Sequence, residues 1–222
     1  MQALDLFCGA GGATLGMQQA GFEVWGVDNN PKLKKIYPGH FVCEDALDPP
    51  FDLDDFDFIW ASPPCQAYST VASQKVRAKY PDLIEATRKI LRDHRSACIE
   101  NVPNAPLQTS LVLTGPMFGL DRIYRKRHFE LIGDLKNKIK QPPIKRLKKG
   151  TMKSGKGIIV LKKLSHPDHF YPRKAIGLPG TVPASEACEA MGIHIPMTAA
   201  QVGEAIPPAY AKFIAMAVRR CL

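Results

Sequence analysis

The stretch QALDLFCGAGGATLGMQQAGFEVWGV, residues 2–27, decides the fold class. Its two ends, Gln2–Phe7 and Glu23–Val27, are short apolar runs of the length that strands have. Between them, small and apolar side chains fall at helical spacing, at Ala13, Gly16, Met17 and Ala20. Gly21 stands where a left-handed glycine ends a helix. A strand, a helix and a strand in this order predict one unit of a parallel α/β sheet.

The same alternation continues to about residue 131. Four further strands are predicted, at His40–Cys43, Asp57–Ala61, Ala97–Val102 and Arg127–Leu131. A second helix is predicted to begin near Pro81, with an apolar face made by Leu83, Thr87, Ile90 and Leu91. Pro208 is predicted to open a terminal helix that packs back on this domain. The sequence therefore predicts a doubly wound, Rossmann-like α/β fold.

Composition narrows the class of protein. The 222 residues, 45% hydrophobic and 23% charged, suffice for one globular domain with a small satellite. No apolar run reaches the roughly 18 residues that a membrane-spanning helix needs, and Met1–Asp5 lack the features of a signal peptide. The six cysteines form no Cys-x-x-Cys pair, which argues against a zinc site and a disulfide framework. We therefore expect a cytoplasmic protein with no membrane association and no metal.

Positive charge is concentrated in one segment. The formal net charge is +9, yet Gly133–Lys174 alone holds 13 Lys and Arg and only two acids. This distribution is typical of a protein that binds a polyanion, although a solvated lysine-rich loop would give the same count. We predict a main domain at 1–132 and 186–222, and a small, basic, strand-rich insert at 133–185 that contains the β-type run Ile158–Leu161.

Polar or flexible residues follow three successive predicted strands. Asp5–Gly12 joins the first strand to its helix through three glycines, which leave backbone N–H groups open to a ligand. Asp28 ends the second strand, where a carboxylate accepts ribose hydroxyls, and Asp45 follows the third, within reach of an adenine amino group. Together they predict a nucleoside-cofactor site. A nicotinamide dinucleotide and S-adenosylmethionine fit these three features equally.

A cysteine in a stiff turn follows the fourth predicted strand. Pro63 and Pro64 restrict the backbone that leads to Cys65, which holds the thiol in one place. A structural cysteine is the alternative, but a polar turn beside Gln66 favours a nucleophile. A nicotinamide-dependent oxidoreductase has no use for this turn, so the motif favours S-adenosylmethionine chemistry.

Five motifs occur in the order found in C5-cytosine-specific DNA methyltransferases. They are the Asp5–Gly12 loop, the Pro63–Gln66 turn, the Ile99–Val102 strand end, the Arg125–Arg127 segment and Gln201–Pro208. The chain resembles this family from about Ala3 to Val218, and least across the basic insert. The resemblance implies an S-adenosylmethionine-dependent methyltransferase fold in which the main domain is catalytic and binds the cofactor. The insert is then a target-recognition subdomain, as in small phage or restriction–modification enzymes.

The resemblance also implies the catalytic residues. Cys65 is the nucleophile that adds to C6 of cytosine, Glu100 contacts N3 of the ring, and Arg127 holds the flipped base while Arg125 supports the pocket. On a strand, the two arginines would share one face. An unperturbed thiol is only about 3% ionised at pH 7, and we expect the site to lower the pKa of Cys65 towards about 7.

Cofactor-binding residues follow from the same resemblance. Phe7, Ala10 and Gly12 surround the methionine moiety, Asp28 the ribose, Asn29 and Asp45 the adenine, and Pro64 the region near the sulfonium. The chain departs from the family at Ile123, where a glutamine is usual. It departs again at Glu204, where an asparagine near the cofactor is usual. The Glu204 carboxylate favours the cationic cofactor or points to solvent.

The sequence thus predicts a monomeric S-adenosylmethionine-dependent DNA cytosine-C5 methyltransferase that acts on double-stranded DNA. The target base has to be flipped out of the duplex, and Ala67–Tyr80 is expected to be a mobile loop that closes behind it. Two alternatives stay open: the same chemistry on RNA, and a non-catalytic DNA-binding protein with this fold. The short, basic insert predicts a permissive target sequence and steep salt dependence of binding.

Overall fold

A computed structural model describes residues 1–68, 80–120, 123–143 and 183–220 of the chain. Between residues 144 and 182 it describes the backbone of four short strands. Most of the predicted loop at Ala67–Tyr80 and most of the predicted insert lie outside the described residues.

A mixed sheet of seven strands forms the centre of the molecule, in the order β3-β2-β1-β4-β5-β7-β6. Strands β1 to β5 are parallel where they pair, and β7 runs antiparallel to both of its neighbours. The strands are β1 Gln2–Leu6, β2 Glu23–Val27, β3 His40–Val42, β4 Phe58–Ala61, β5 Ser96–Asn101, β6 Leu111–Leu113 and β7 Arg127–Gly133.

Helices cover both faces of the sheet. They are α1 Gly12–Gln19, α2 Ile84–Leu91, α3 Leu135–Lys138, α4 Ala184–Met191, α5 Ala199–Glu204 and α6 Pro208–Arg219. Short 3-10 turns lie at Pro31–Lys35, Leu53–Asp55 and Gly115–Phe118. None of the described helices is both long and apolar enough to cross a bilayer.

Successive residues of the central strands enter two different hydrophobic clusters. Phe58 and Trp60 of β4 pack with α1 and α6 on one face, whereas Ile59 and Ala61 pack with α2 on the other. All four residues are completely buried, as expected for a strand that is covered on both faces. This arrangement confirms the doubly wound, Rossmann-like α/β fold that the sequence predicted.

Helices α1 and α6 approach each other unusually closely. A Cβ atom built on Gly16 would collide with the carbonyl oxygen of Pro208 and would lie 2.8 Å from the backbone nitrogen of Lys212. Glycine at this position therefore sets the spacing of the two helices. The contact confirms that the terminal helix packs back on the first domain.

All six predicted strands are present, with ends within one or two residues of the predicted ones. Gly21 follows the last turn of α1 with a φ of +88°, which confirms the predicted helix end. Helix α2 begins three residues later than the predicted start near Pro81. The helix begins at Ile84, whose backbone N–H donates to the Asp82 carboxylate, 3.0 Å from the acceptor.

Two features of the topology differ from the prediction. Strand β6 was missed, because three residues are too few to show an alternating pattern. Helices also do not separate every pair of strands: 3-10 turns connect β2 to β3 and β3 to β4.

Within the predicted insert, the structure describes two separate antiparallel pairs. They are β8 Met152–Ser154 with β9 Gly157–Ile159, and β10 Leu161–Lys163 with β11 Phe170–Pro172. The predicted run Ile158–Leu161 is thus divided between two sheets, and Val160 lies outside the described residues. Leu135, inside the predicted insert, is fully buried in the core of the main domain. The insert boundaries themselves stay a prediction.

Candidate active site

The glycine loop after β1 adopts the left-handed backbone that its residue types allow. Gly9 and Gly11 have φ values of +52° and +86°, and Phe7, which is not a glycine, has a φ of +58°. The backbone N–H of Gly9 donates to the Asp28 carboxylate over 3.0 Å. The loop is thereby fixed against the end of β2.

A cavity of about 500 Å³ opens at the carboxyl ends of β1, β2, β4 and β5. Sites for small ligands in α/β sheets lie at this edge. Eleven of the twelve residues assigned from the sequence line it: Phe7, Ala10, Gly12, Asp28, Asn29, Asp45, Pro64, Cys65, Glu100, Arg127 and Glu204. Residues that are up to 197 positions apart in the sequence therefore face one space.

Asp28 is held in place by the backbone on both sides. Its two carboxylate oxygens accept from the N–H groups of Gly9 and Asn30, each over 3.0 Å. A carboxylate oxygen accepts more than one hydrogen bond, so both remain able to accept from a ligand hydroxyl.

The turn that carries Cys65 is tied to the sheet at several points. The Ser62 N–H donates to the carbonyl of Leu6 over 3.1 Å, and the Tyr68 N–H donates to the carbonyl of Cys65 over 3.0 Å. The Asn101 side chain, which is buried, donates to the carbonyl of Pro63 over 2.8 Å. Sequence reasoning named Asn101 only as part of a motif; a polar residue at the end of a buried strand was the signal for this role.

The Cys65 thiol is partly exposed and borders the cavity. Burial and the neighbouring Glu100 carboxylate raise its pKa, while Arg127 and Arg125 oppose this increase. The expected lowering of the pKa was therefore wrong for the protein without ligands. The site holds Cys65 as the neutral thiol, because removing it from water costs more than the two arginines offset.

Glu100 and Arg127 form a buried ion pair beside Cys65. Arg127 Nε lies 2.9 Å from Glu100 Oε1, and both side chains are largely shielded from solvent. Burial raises the pKa of Glu100, whereas Arg127 and a hydrogen bond from Ser62 lower it. A carboxyl group with a raised pKa is suited to hold a proton and donate it.

Arg125 lies behind the site and does not line the cavity. Its guanidinium donates to the carbonyl of Gly203 over 2.8 Å, and Tyr210 donates to the carbonyl of Arg125 over 3.0 Å. Burial and, to a smaller extent, the nearby Arg127 together lower the pKa of Arg125 to about 9. The prediction that the two arginines share a strand face was wrong, because Arg125 precedes β7 and has a φ of +31°.

Glu204 ends α5 and hydrogen-bonds across the cavity wall. Its Oε1 accepts from the Gln66 side-chain amide over 3.1 Å, directly beside the Cys65 turn. Burial and the Asp28 carboxylate raise the pKa of Glu204. Glu204 lines the cavity and is also exposed to solvent, so both predicted orientations of its carboxylate stay open.

Sequence reasoning missed a buried polar chain below the glycine loop. Thr14 Oγ1 donates to the Asp5 carboxylate over 2.6 Å and lies 2.6 Å from the hydroxyl of Tyr37. Burial raises the pKa of Asp5 to about 8. An aspartate in the middle of an apolar strand was the available signal.

Other cavity-lining residues were also not predicted. They include Asn30, Leu33, Ser62, Gln66, Leu83, Ala200, Gln201 and Ile206. No group of three or more His, Cys, Asp or Glu side chains among the described residues is arranged to hold a metal ion.

Residues 1–110 match the family of C-5 cytosine-specific DNA methylases. This segment includes the glycine loop, Asp28, Cys65 and Glu100. The sequence has no match among curated proteins.

Similar solved structures are methyltransferases. EhMeth of Entamoeba histolytica aligns over 100% of this chain and 98% of its own, with a TM-score of 0.56 and 15% identity, which shows the shared fold. A DNMT2 mutant of Spodoptera frugiperda aligns at 17% identity and a TM-score of 0.44, over 58% of this chain and 48% of that one. The Dnmt2 methyltransferase of S. pombe aligns at 18% identity and a TM-score of 0.42, over 59% of this chain and 48% of that one.

The chain thus spans about half the length of these two DNMT2 proteins. The motif order, the match of residues 1–110 and the fold agree with one another. They confirm the predicted resemblance to the C-5 cytosine-specific DNA methylases, a family whose cofactor is S-adenosylmethionine.

Proposed function

We propose that this protein transfers a methyl group from S-adenosylmethionine to C5 of cytosine in double-stranded DNA. One observation carries the proposal: Cys65, Glu100 and Arg127 line the same cavity as the glycine loop and Asp28. A nucleophile with an adjacent acid and cation therefore faces a nucleoside-type pocket. The family description, a DNA methylase, favours DNA over RNA as the substrate.

The cavity residues fit the cofactor. The volume of the cavity, about 500 Å³, lies within the range of small-molecule sites, roughly 300–1,000 Å³. A Cβ atom on Gly9 would project into open space, so glycine leaves backbone and room for a ligand there. When bound, S-adenosylmethionine supplies an electrophilic methyl group on a sulfonium.

We assign the cofactor contacts as the family resemblance implies. Phe7, Ala10 and Gly12 hold the methionine moiety, Asp28 the ribose hydroxyls, Asn29 and Asp45 the adenine, and Pro64 the side near the sulfonium. Asp28 is already oriented by two backbone N–H groups, so little ordering is needed when it accepts from a ribose.

Cys65 makes C5 of cytosine reactive. Carbon 5 is a weak nucleophile, and addition of the Cys65 thiolate to C6 turns the C5–C6 bond into part of an enamine. The turn anchored by Ser62 and Asn101 fixes where the sulfur lies during this step. C5 would then bond to the methyl carbon as the bond from that carbon to the sulfonium breaks, which would leave S-adenosylhomocysteine. Loss of the C5 proton to water and departure of the sulfur would restore the aromatic ring and the thiolate.

Glu100 serves both the base and the thiol. As a neutral acid it donates to N3, which relieves the charge that attack at C6 places on the ring. A protonated Glu100 also no longer repels the Cys65 thiolate, so the main electrostatic obstacle to ionisation disappears. Arg127 remains as the adjacent cation, which favours the thiolate and is positioned to hold the base.

The target cytosine has to leave the duplex for this chemistry. Its C6 and C5 atoms are covered by stacked neighbours in the helix, so flipping is required at a cost of a few kcal/mol. The predicted closing loop, Ala67–Tyr80, and the basic insert remain the proposed sources of phosphate contacts.

Bisulfite sequencing of DNA incubated with protein and S-adenosylmethionine tests the proposal. Protected cytosines at defined positions are expected with the wild type and none with Cys65→Ala. Cys43→Ala is the matched control, because Cys43 is exposed and does not line the cavity.

Retained methylation in Cys65→Ala would overturn the mechanism. The same assay on an RNA of matched sequence decides the substrate, and methylation of RNA alone would replace DNA by RNA. DNA binding without any methyl transfer would instead support a non-catalytic binding protein.

A further inference from the structure

We propose that Glu204 makes the cavity select the charged cofactor over its neutral product. This inference rests on the proposed function, and it concerns a residue at which the chain departs from its family. Transfer of the methyl group converts the cationic sulfonium of S-adenosylmethionine into the neutral thioether of S-adenosylhomocysteine. A residue that distinguishes the two charges determines how strongly the product competes with the cofactor.

The Glu204 side chain is held at the cavity by a defined hydrogen bond. Its Oε1 accepts from Gln66 Nε2 over 3.1 Å, and both residues line the cavity. Helix α5, which ends at Glu204, is fixed at its start by a capping box between Thr198 and Gln201. Its last turn is fixed by Arg125, which donates to the carbonyl of Gly203 over 2.8 Å. The carboxylate is thus positioned by surrounding structure.

Glu204 is partly open to solvent, and a carboxylate at this place is mildly disfavoured in the protein alone. It lies at the carboxyl end of a helix, where the partial negative charge of the backbone repels it. Burial and the Asp28 carboxylate raise its pKa, and Arg125 only partly offsets them. A cationic ligand in the cavity would offset the repulsion between Glu204 and Asp28, which a neutral side chain could not do.

The charge of the cavity supports this explanation. Asp28, Asp45 and Glu204 line it, and among the described residues the only Lys or Arg on its wall is Arg127, which pairs with Glu100. Opposite charges within several ångströms attract measurably even when partly exposed. Both compounds carry the same ammonium group and differ by the sulfonium charge, so Glu204 adds more attraction for S-adenosylmethionine than for S-adenosylhomocysteine.

Calorimetric titration of both compounds into the Glu204→Gln variant tests the inference. Glutamine keeps an oxygen that accepts from Gln66 and removes only the charge. We expect the affinity for S-adenosylmethionine to fall by roughly fivefold, while that for S-adenosylhomocysteine stays within twofold. Asp93→Asn is the matched control for net charge, since Asp93 is exposed and lies outside the cavity.

Each outcome has one interpretation. An unchanged ratio of the two affinities in Glu204→Gln would overturn the inference and leave the proposed function intact. An equal loss for both compounds would also overturn it, because it would show a structural role. Failure of the wild-type protein to bind either compound would instead contradict the proposed function. The Glu204→Asn variant, with the usual family residue, is expected to match Glu204→Gln in its affinity ratio.

Discussion

At the scale of single residues, burial makes several acidic groups of the site harder to ionise. Burial raises the pKa of Cys65 and of Glu100, and it raises that of Asp5 to about 8. Cys65 and Glu100 face the cavity, and the negative form of either one opposes ionisation of the other. The protein without ligands therefore keeps the Cys65 thiol neutral, and its ionisation depends on what enters the cavity.

Replacement of Glu100 by Gln is expected to separate thiol acidity from catalysis. Removing the carboxylate lowers the pKa of Cys65, because a repulsive charge is lost and the arginines remain. Methylation is nevertheless expected to fall by about 10²- to 10⁴-fold, since the proton donor to the base is gone.

Alkylation of Cys65 as a function of pH, followed by mass spectrometry of its peptide, measures the first effect. The midpoint of the alkylation curve should move to lower pH in Glu100→Gln. Glu85→Gln, an exposed carboxylate on α2, is the control. A midpoint that moves upward would contradict the proposed coupling.

The buried Asp5 is expected to make stability depend on pH. Its pKa is raised to about 8 in the folded protein, against an ordinary aspartate value of 3.8. Between these values the folded state keeps a proton that the unfolded state has lost, so stability falls as the pH rises, by at most about 1.4 kcal/mol per pH unit.

Asp5→Asn removes this titration and keeps an oxygen that accepts from Thr14. The free energy of unfolding of the variant relative to the wild type should therefore increase from pH 5 to pH 8. Urea titrations at each pH measure it, with Asp93→Asn as the exposed control. A difference that is independent of pH would show that Asp5 is ionised throughout.

At the scale of elements, close packing between α1 and α6 fixes how the sheet is covered. Gly16 is the contact point, and a side chain there would meet the backbone at the start of α6. Gly12 has a similar role at the first turn of α1, where a Cβ would lie 2.6 Å from the carbonyl oxygen of Ile206. Both glycines permit approaches that helix propensity alone would not predict.

Gly16→Ala is expected to destabilise the protein by about 1–3 kcal/mol, because overpacking against backbone outweighs the better helix propensity of alanine. Denaturant unfolding measures the change. Gln19→Ala, on the exposed side of the same helix, should change stability by less than about 0.5 kcal/mol. A stabilised Gly16→Ala would mean that the two helices separate without cost.

Elements with strong local signals could be predicted from the sequence, and those fixed by tertiary contacts could not. Apolar runs located six strands, Gly21 located the end of α1, and Pro208 located the start of α6. The missed strand β6 exists only because it pairs with β7.

The site divides in the same way. Three kinds of local pattern identified eleven of the cavity-lining residues: the glycine loop, the cysteine after two prolines, and acids at strand ends. The left-handed backbone of Arg125, the hydrogen bond from Gln66 to Glu204 and the raised pKa of Cys65 depend on contacts between distant segments. Local sequence patterns carry no signal for such contacts.

At the scale of the whole molecule, the excess positive charge lies in a different segment from the residues that line the cavity. The formal net charge of +9 arises from Gly133–Lys174, whereas the rest of the chain carries slightly more acids than bases. The catalytic cavity is itself rich in carboxylates. Affinity for DNA is therefore expected to reside in the basic segment, and reaction specificity in the cavity.

Replacing Lys148 and Lys149 by Ala is expected to weaken DNA binding and to reduce the slope of log affinity against log salt by about 1 to 2. Fluorescence anisotropy at several salt concentrations measures the slope. Lys89→Ala with Lys212→Ala removes the same charge from exposed positions of the main domain and should leave the slope unchanged. An unchanged slope in the first variant would exclude these lysines from phosphate contact.

The close approach of Gly12 to Ile206 has a consequence for assembly of the cavity. The first turn of α1 and the segment after α5 meet there, so two walls of one pocket come from opposite parts of the sequence. Residues 200–206 form one wall of the cavity and the glycine loop forms another. A bound ligand should therefore hold the glycine loop and the segment after α5 together. It should slow proteolysis between α5 and α6 more than cleavage elsewhere in the chain.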